Sequence, residues 1–389
     1  MTKTLNVAMI GGGFMGKAHA LAYATMPMFF WPAPAIPVRK VVVDITETLA
    51  DEGRRRYGFE ESSADWRSVV TRSDIDVIDI VTPNDSHAAI AIAAAEAGKH
   101  IICEKPLARG GDEAKTMLDA VNKAGVIHMV AFNYRRTPAV ALARQYIEEG
   151  RIGKILNFRG TYLQDWSADP DSPLSWRFQK KIAGSGSIGD IGTHVVDLAR
   201  YLVGEIAEVS ALVRTYNKTR PIQRGNLDRL GAAERNTDTE RAEVDVDDEV
   251  MTLLKFADGA IGSLEATRNA YGRNNFITFE IHGTKGSIAF NYERRDELQV
   301  MFADDPADAR GFRSVYSGPA HPYGSGLWPI PALGIGYSET KIVECFDFFS
   351  AIVSGKQPLP NFEDGYKTER VADALIESGQ SGQWTKVRP

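Results

Sequence analysis

One stretch, MIGGGFMG, limits the fold more than any other. Gly11, Gly13 and Gly16 stand in the G-x-G-x-x-G spacing. Glycine is common, so the spacing alone is weak. Here LNVAMIG, an apolar run that reads as a buried strand, precedes it, and GKAHALAYA, a helical pattern, follows. In that context the spacing points to a dinucleotide. Glycine at the turn lets backbone N–H groups approach a pyrophosphate at the helix N-terminus. The candidate cofactor contacts of the turn are Gly11, Gly13, Phe14, Met15 and Gly16. A plain strand-to-helix turn is the competing reading.

The stretches that follow extend this pattern. VRKVVVDI, DVIDIVTP, KHIICEKP and VIHMVAFNY read as strands, separated by helical patterns such as ETLADEGRRRYG and GDEAKTMLDAVNKAG. Apolar strands alternating with helices predict a parallel sheet covered on both faces. Asp44 ends the second of these strands. A carboxylate there accepts hydrogen bonds from the adenosine ribose hydroxyls and repels a 2′-phosphate. No arginine immediately follows it, so the cofactor expected is NAD. Asp44 lies unusually far from the glycines because MPMFFWPAPAIP, Met26 to Pro37, intervenes. That insertion reads as a packed loop, with a substrate-cleft wall or a subunit contact as the other reading.

After about Arg135 the pattern changes. A helix over 137–149 leads into KILNFRGTYLQDW, and later EVSALVRTY, EVMTLLKFADGAIGSLEATRN, FITFEIHGTKGSIAFNY and ELQVMFA alternate like strands. The turns at Asp258-Gly259 and GTKG predict hairpins, hence antiparallel pairing. Asn217 to Asp248, long, polar and charged, reads as a mobile loop or lid. With 389 residues, two domains are the default, here 1–135 and 136–389.

In an open parallel sheet, ligands bind beyond the carboxyl ends of the strands. That rule selects Thr82, Pro83 and Asn84, with His87 in the following helix, then Glu104 and Lys105, then Asn133 and Tyr134. Each alone is equally well a cap or turn residue; three polar strand ends on one edge favour ligand contact for the set. Pro106 lacks an N–H and stops its strand. A cis Lys105–Pro106 bond would turn the lysine into the cleft. In the second half, GSGSIGDIGTHVVDLARYLVG becomes a helix with Asp190 and His194 four apart, on one helical face. Glycines 184, 186, 189 and 192 weaken a helix start, and close approach to a ligand would explain them. For a polyhydroxylated substrate, Tyr134, Gln164, Trp166 and Arg177 are the candidates. Gln164 and Trp166 share a face if YLQDW stays extended. Trp166 serves equally well as a core or interface aromatic.

Together GGGFMG, TPN with its following His87, EKP and GDIGTH resemble the glucose–fructose oxidoreductase/inositol dehydrogenase family over essentially the whole chain. The resemblance implies an N-terminal Rossmann domain and a C-terminal α/β domain with a large, mostly antiparallel open sheet. It implies a homodimer or homotetramer through that sheet. It implies that Lys105, Asp190 and His194 carry the chemistry, and the motifs match at all three positions. It adds Arg177 to the cofactor contacts. The activity implied is NAD-dependent oxidation of a secondary hydroxyl on a sugar or anhydrosugar. Another sugar, inositol or glycoside dehydrogenase, a hydrolase or lyase that retains its NAD, and a non-catalytic dinucleotide-binding regulator are the alternatives.

Other classes fit poorly. The net charge of −6 supplies no basic field, so no nucleic-acid partner is expected. Two cysteines, Cys103 and Cys345, make no disulfide framework and suit a reducing cytoplasm. No closely spaced His/Cys cluster suggests a metal. The N-terminus enters a strand pattern without the apolar run of a signal peptide, and no stretch is long enough to span a membrane, so no membrane partner is expected.

Overall fold

The structure is a computed structural model that describes residues 2–222 and 240–389. The chain forms two compact units. Among the described residues, the first holds 2–133 and 336–369, and the second holds 134–222, 240–335 and 370–389.

In the first unit, strands and helices alternate: β1 (Lys3–Ile10), α1 (Phe14–Phe29), β2 (Ala35–Val43), α2 (Glu47–Tyr57), β3 (Glu61–Ser63), α3 (Trp66–Val70), β4 (Val77–Ile80), α4 (His87–Glu96), β5 (His100–Cys103), α5 (Gly111–Ala124) and β6 (His128–Val130). The six strands are all parallel, in the order β3-β2-β1-β4-β5-β6. The order reverses between β1 and β4, the switch point at which such sheets bind dinucleotides. One face buries Ile10, Val41, Ile78 and Ile101 with Ile90 and Met117 of the helices. The insertion is not a loop throughout. Met26–Phe29 continues α1 and Ala35–Pro37 begins β2, because Met26, Ala33 and Ala35 belong to the apolar core.

The second unit begins with α6 (Pro138–Glu148), β7 (Ile155–Leu163) and the short α7 (Lys180–Ala183), followed by α8 (Thr193–Leu202) and β8 (Ile206–Arg214). Then come β9 (Thr219–Pro221), β10 (Arg241–Glu243), β11 (Glu249–Phe256), β12 (Ile261–Thr267), β13 (Phe276–Gly283), β14 (Gly286–Asn291), β15 (Glu297–Phe302), β16 (Arg313–Tyr316) and the short α9 (Gly324–Leu327). After α10 (Tyr337–Ser354) of the first unit, α11 (Phe362–Ser381) begins in the first unit and ends in the second, where β17 (Thr385–Lys386) follows. Nine strands form one sheet in the order β16-β15-β14-β13-β7-β12-β11-β8-β17. Hairpins at Asp258-Gly259 and Thr284-Lys285 make β11–β12 and β13–β14 antiparallel. The pair β7–β12 is parallel, so the sheet is mostly, not wholly, antiparallel, as expected. These strands are far apart in sequence, so no hairpin fixes their direction. Inward residues such as Phe158, Val250, Leu264 and Ile277 pack with Val195 and Leu198 of α8.

The boundary also differs from a single cut at 135. Gly336–Glu369 joins the first unit because Phe348, Phe349 and Ile352 pack with Ala22, Tyr23 and Met26 of α1. The expected lid over 217–248 has structure at both ends, where β9 pairs antiparallel with β10; residues 223–239, its middle, lie outside the described residues. Among the described residues no helix is long and apolar enough to cross a membrane. No group of His, Cys, Asp or Glu among them could hold a metal ion.

Candidate active site

In the first unit, Gly11 takes φ +109°, a left-handed backbone that favours glycine. A Cβ there would lie 2.6 Å from the Val81 carbonyl oxygen, and one on Gly16 would lie 2.6 Å from that of Gly11. α1 then starts at Phe14 with no side-chain cap and no acidic residue in its first turn. An anion suits such a helix end, where N–H groups and the helix dipole converge. Asp44 accepts the N–H of Gly12 at 3.0 Å and of Ile45 at 2.7 Å. Gly12, outside the motif spacing, is thus the residue that couples the carboxylate to the turn. Each Asp44 oxygen can still accept from a ribose hydroxyl, since a carboxylate has about four acceptor sites. The turn, the uncapped helix and the carboxylate together fit NAD. Phe14 is half exposed and stacks on Tyr337, ring centres 6.3 Å apart. The Tyr337 hydroxyl meets the Met15 sulfur at 3.6 Å.

The strand ends divide. Thr82, Pro83 and Lys105 remain partly exposed, and the Lys105–Pro106 bond is cis. Four other expected cofactor contacts are buried. His87 is fully buried; its Nε2 lies 2.9 Å from the Thr82 carbonyl and its Nδ1 lies 3.1 Å from that of Pro106. Its ring lies between two strand-end loops and, when neutral, donates to one of these carbonyls at a time. Burial holds its pKa below the usual imidazole value, with the nearby carbonyls opposing. Glu104 is buried and receives the Lys341 ammonium at 2.7 Å. Burial alone would raise its pKa, but Lys341, His19 and Lys105 hold it well below the usual carboxylate range. Asn133, also buried, donates from Nδ2 to Thr340 Oγ1 at 2.8 Å. Asn84 is buried as well. The strand-end rule places these residues correctly on the chain, but alternation sends neighbouring side chains to opposite sides.

In the second unit, Asp190 lies on a π-helical turn, Ile188–Gly192, which runs into α8 and His194. The expected single α-helical face is thus interrupted by the wider turn, a feature frequent at functional sites. Packing within the protein accounts for two of the glycines around it. A Cβ on Gly186 would collide with the Asp247 backbone at 1.8 Å, and one on Gly189 would lie 2.6 Å from Ser185 Oγ. The Asp247 carboxylate caps the turn, accepting from Gly186 N at 2.7 Å, Ser187 Oγ at 2.6 Å and Ile188 N at 2.8 Å. Arg268, fully buried, holds Asp190 Oδ2 at 3.4 Å.

A polar chain runs beside His194. The Tyr134 and Tyr162 hydroxyls are 2.7 Å apart, and Tyr162 donates to Asn275 Oδ1 at 2.6 Å. Gln164 Nε2 donates to Asn275 Oδ1 at 3.0 Å, and the Trp166 indole N–H donates to Gln164 Oε1 at 2.9 Å. The Tyr134 ring meets the His194 imidazole edge to face, centres 4.6 Å apart. Tyr134, Gln164, Trp166 and His194 therefore belong to one cluster, as expected, although Tyr134 is buried. Arg177 lies over the Trp176 ring at 4.3 Å, and its carbonyl faces Arg268. Tyr162, Asn275, Asp247 and Arg268 escaped the sequence reading, since no local motif marks them.

Two family profiles match the chain. "Oxidoreductase family, NAD-binding Rossmann fold" covers residues 5–132, and "GFO/IDH/MocA C-terminal domain" covers residues 140–289. The levoglucosan dehydrogenase of Pseudarthrobacter phenanthrenivorans is 67% identical over 385 residues, 99% of this chain and 98% of that protein. The scyllo-inositol 2-dehydrogenase (NAD(+)) of Bacillus subtilis is 30% identical over 387 residues, 98% of this chain and 96% of that one. Among solved structures, a levoglucosan dehydrogenase in complex with NADH and levoglucosan is 65% identical, covers 99% of this chain and 100% of its own, and superposes with a TM-score of 0.94.

Proposed function

The chain belongs to the GFO/IDH/MocA family as an NAD-dependent sugar dehydrogenase, and we propose that it oxidises levoglucosan to the 3-keto sugar. The observation that carries this reading is the 67% identity to a levoglucosan dehydrogenase over 99% of the chain. Stretches such as MPMFFWPAPA, FNYRRTPAVALA and GTYLQDWSADP carry the same likeness.

When bound, NAD supplies the acceptor for the hydride that leaves the substrate carbon. The residues here must remove the hydroxyl proton and stabilise the charge left on oxygen. His194 is assigned as general base, since an imidazole titrates near neutrality. Asp190, held by Arg268, orients the imidazole or the substrate hydroxyl and favours the imidazolium. Lys105 donates a hydrogen bond to the reacting oxygen as alkoxide character develops, an effect strongest where water is excluded. Tyr134, Gln164, Trp166 and Arg177 are assigned to sugar binding, with Asn275 and Tyr162 completing the hydroxyl and amide chain. The glycine turn and Asp44 are assigned to NAD. The test is NADH formation at 340 nm over a panel of levoglucosan, inositols and glucosides, with NAD and NADP. NADH from levoglucosan with NAD is expected. Product without NADH would favour a hydrolase or lyase that retains its cofactor, and a preference for NADP would count against Asp44.

Assembly is part of the proposal. On the outward face of the nine-stranded sheet, Leu212, Met251, Leu253 and Ile261 are exposed, and Leu212 pairs directly with Met251. Exposed apolar residues gathered on one sheet face suit a homodimer or homotetramer through that face. Leu253→Glu should lower the mass measured by sedimentation; an unchanged mass would exclude this face. Cys103 and Cys345 are buried free thiols, which is compatible with work in the cytoplasm.

A further inference from the structure

Behind the EKP turn, the first unit buries a group of charges that the reaction as proposed does not use. His19 of α1 places Nδ1 3.0 Å from Asp79 of β4 and Nε2 3.0 Å from Glu104. The Tyr23 hydroxyl donates to Asp79 at 2.8 Å. Lys341 of α10 donates to Glu104 at 2.7 Å and to Glu344 at 2.8 Å. Every one of these side chains is nearly or completely inaccessible. Burial, the largest single effect, would lower the His19 pKa, but the Asp79 charge and the hydrogen bonds to Asp79 and Glu104 together outweigh it and the value is pushed up to about 9. The imidazole is therefore a cation at neutral pH, donating from both nitrogens to carboxylates.

Stability does not account for such a group. Desolvating several charges costs about as much as their attraction returns, and apolar side chains of the same volume commonly hold a fold as well or better. What the group provides is position. Glu104 Oε2 accepts the backbone N–H of Lys105 at 3.1 Å, while Glu104 N stays in the ladder, donating to the Ile80 carbonyl at 2.9 Å. On the far side, His87 Nδ1 lies 3.1 Å from the Pro106 carbonyl and 3.3 Å from that of Leu107. The backbone that bears Lys105 is thus held by Glu104 and flanked after the lysine by the His87 ring. His19 and Tyr23 lie on the same α1 whose N-terminus forms the glycine turn.

We propose that His19, Asp79, Glu104 and Lys341 form a charge brace that fixes Lys105, making Glu104 a positioning residue of the oxidation. The brace rests on the role given to Lys105 above. A lysine stem has four carbons of free rotation, so its ammonium is placed only as well as its backbone is. Misplacement of a reacting group by about 1 Å can cost ~10²-fold.

The test is a double-mutant cycle on the full-length protein, reading kcat for the sugar and the NAD dissociation constant separately. In Glu104→Gln, kcat is expected to fall ~10- to 100-fold, with NAD binding within about twofold of the parent. In a Lys105→Ala background the same substitution should cost nothing further, because the residue it positions is gone. Should Glu104→Gln fail to fold, Glu104→Asp keeps the charge for His19 and Lys341 while shortening the reach to the Lys105 N–H. The same loss, again confined to the background with Lys105, is expected. An equal fall in both backgrounds, or no fall in either, would overturn the brace and leave Lys105 standing. A Lys105→Ala enzyme with near-normal turnover would overturn both.

Discussion

Lys105→Ala and His194→Ala are each expected to lower kcat by at least ~10²–10⁴-fold, the range typical of a placed acid–base group, while NAD still binds. The split follows from where the two tasks sit. In the assignment proposed above, pyrophosphate binding falls to the backbone at Gly11–Gly16 and the uncapped start of α1. Ribose recognition is likewise assigned to Asp44, fixed by Gly12 and Ile45. Neither task needs the Lys105 ammonium or the His194 ring. His194 also has its own support. The Tyr134 ring lies against it, and α8 carries it directly out of the π-helical turn that Asp247 caps. Removal of the imidazole therefore deletes a proton acceptor without dismantling the turn. Steady-state NADH formation, paired with direct titration of NAD binding, checks the expectation. Turnover near that of the parent in either variant would sink the assignment.

The dinucleotide-binding fold was legible because its signals are local. A strand, three spaced glycines, a helix and a carboxylate at the next strand end all lie within the first 44 residues. The strand β3 was not legible: Glu61–Ser63 is short and polar, and it joins the sheet by pairing with β2 rather than by carrying an apolar run. The inward turn of Glu104 was hidden for a different reason. Sequence places it at a strand end, but the partners that draw it inside, His19 and Lys341, lie 85 and 237 residues away. The hydroxyl and amide chain beside His194 has the same character. Asn275 meets Tyr162 across 113 residues, brought there when β13 pairs with β7. Tyr162 itself occupies a buried position of an alternating strand, which reads as core. Two of the glycines from 184 to 192, Gly186 and Gly189, mark close approach of the Asp247 backbone and Ser185 Oγ, while Gly184 takes φ +86°.

Asp197→Ala is expected to destabilise the protein by about 3–5 kcal/mol, the cost of leaving a buried charge without its partner. Asp197 receives Arg135 through two bonds, Nε at 2.8 Å and a terminal nitrogen at 2.5 Å, and both side chains are almost wholly buried. The Arg135 guanidinium also lies over the Tyr201 ring at 4.7 Å. The pair has a place in the site as well as in the fold. Arg135 follows Tyr134, and Asp197 lies one turn beyond His194 on α8. The bidentate bond therefore holds the segment that carries the tyrosine against the helix that carries His194. Loss of stability should then be accompanied by a fall in kcat even in conditions where the variant is fully folded. Arg135→Leu combined with Asp197→Leu removes both charges, and apolar replacement of a buried pair is often neutral for stability. The double variant should regain most of the lost stability. It should not regain turnover, since leucines pack without the directional bonds that fix Tyr134 against His194. Urea unfolding of the two variants beside the parent, with kcat measured on the folded protein, separates the effects. An Asp197→Ala protein as stable as the parent would show that Arg135 tolerates burial without this carboxylate. A double variant with full turnover would show that the pair serves the fold alone.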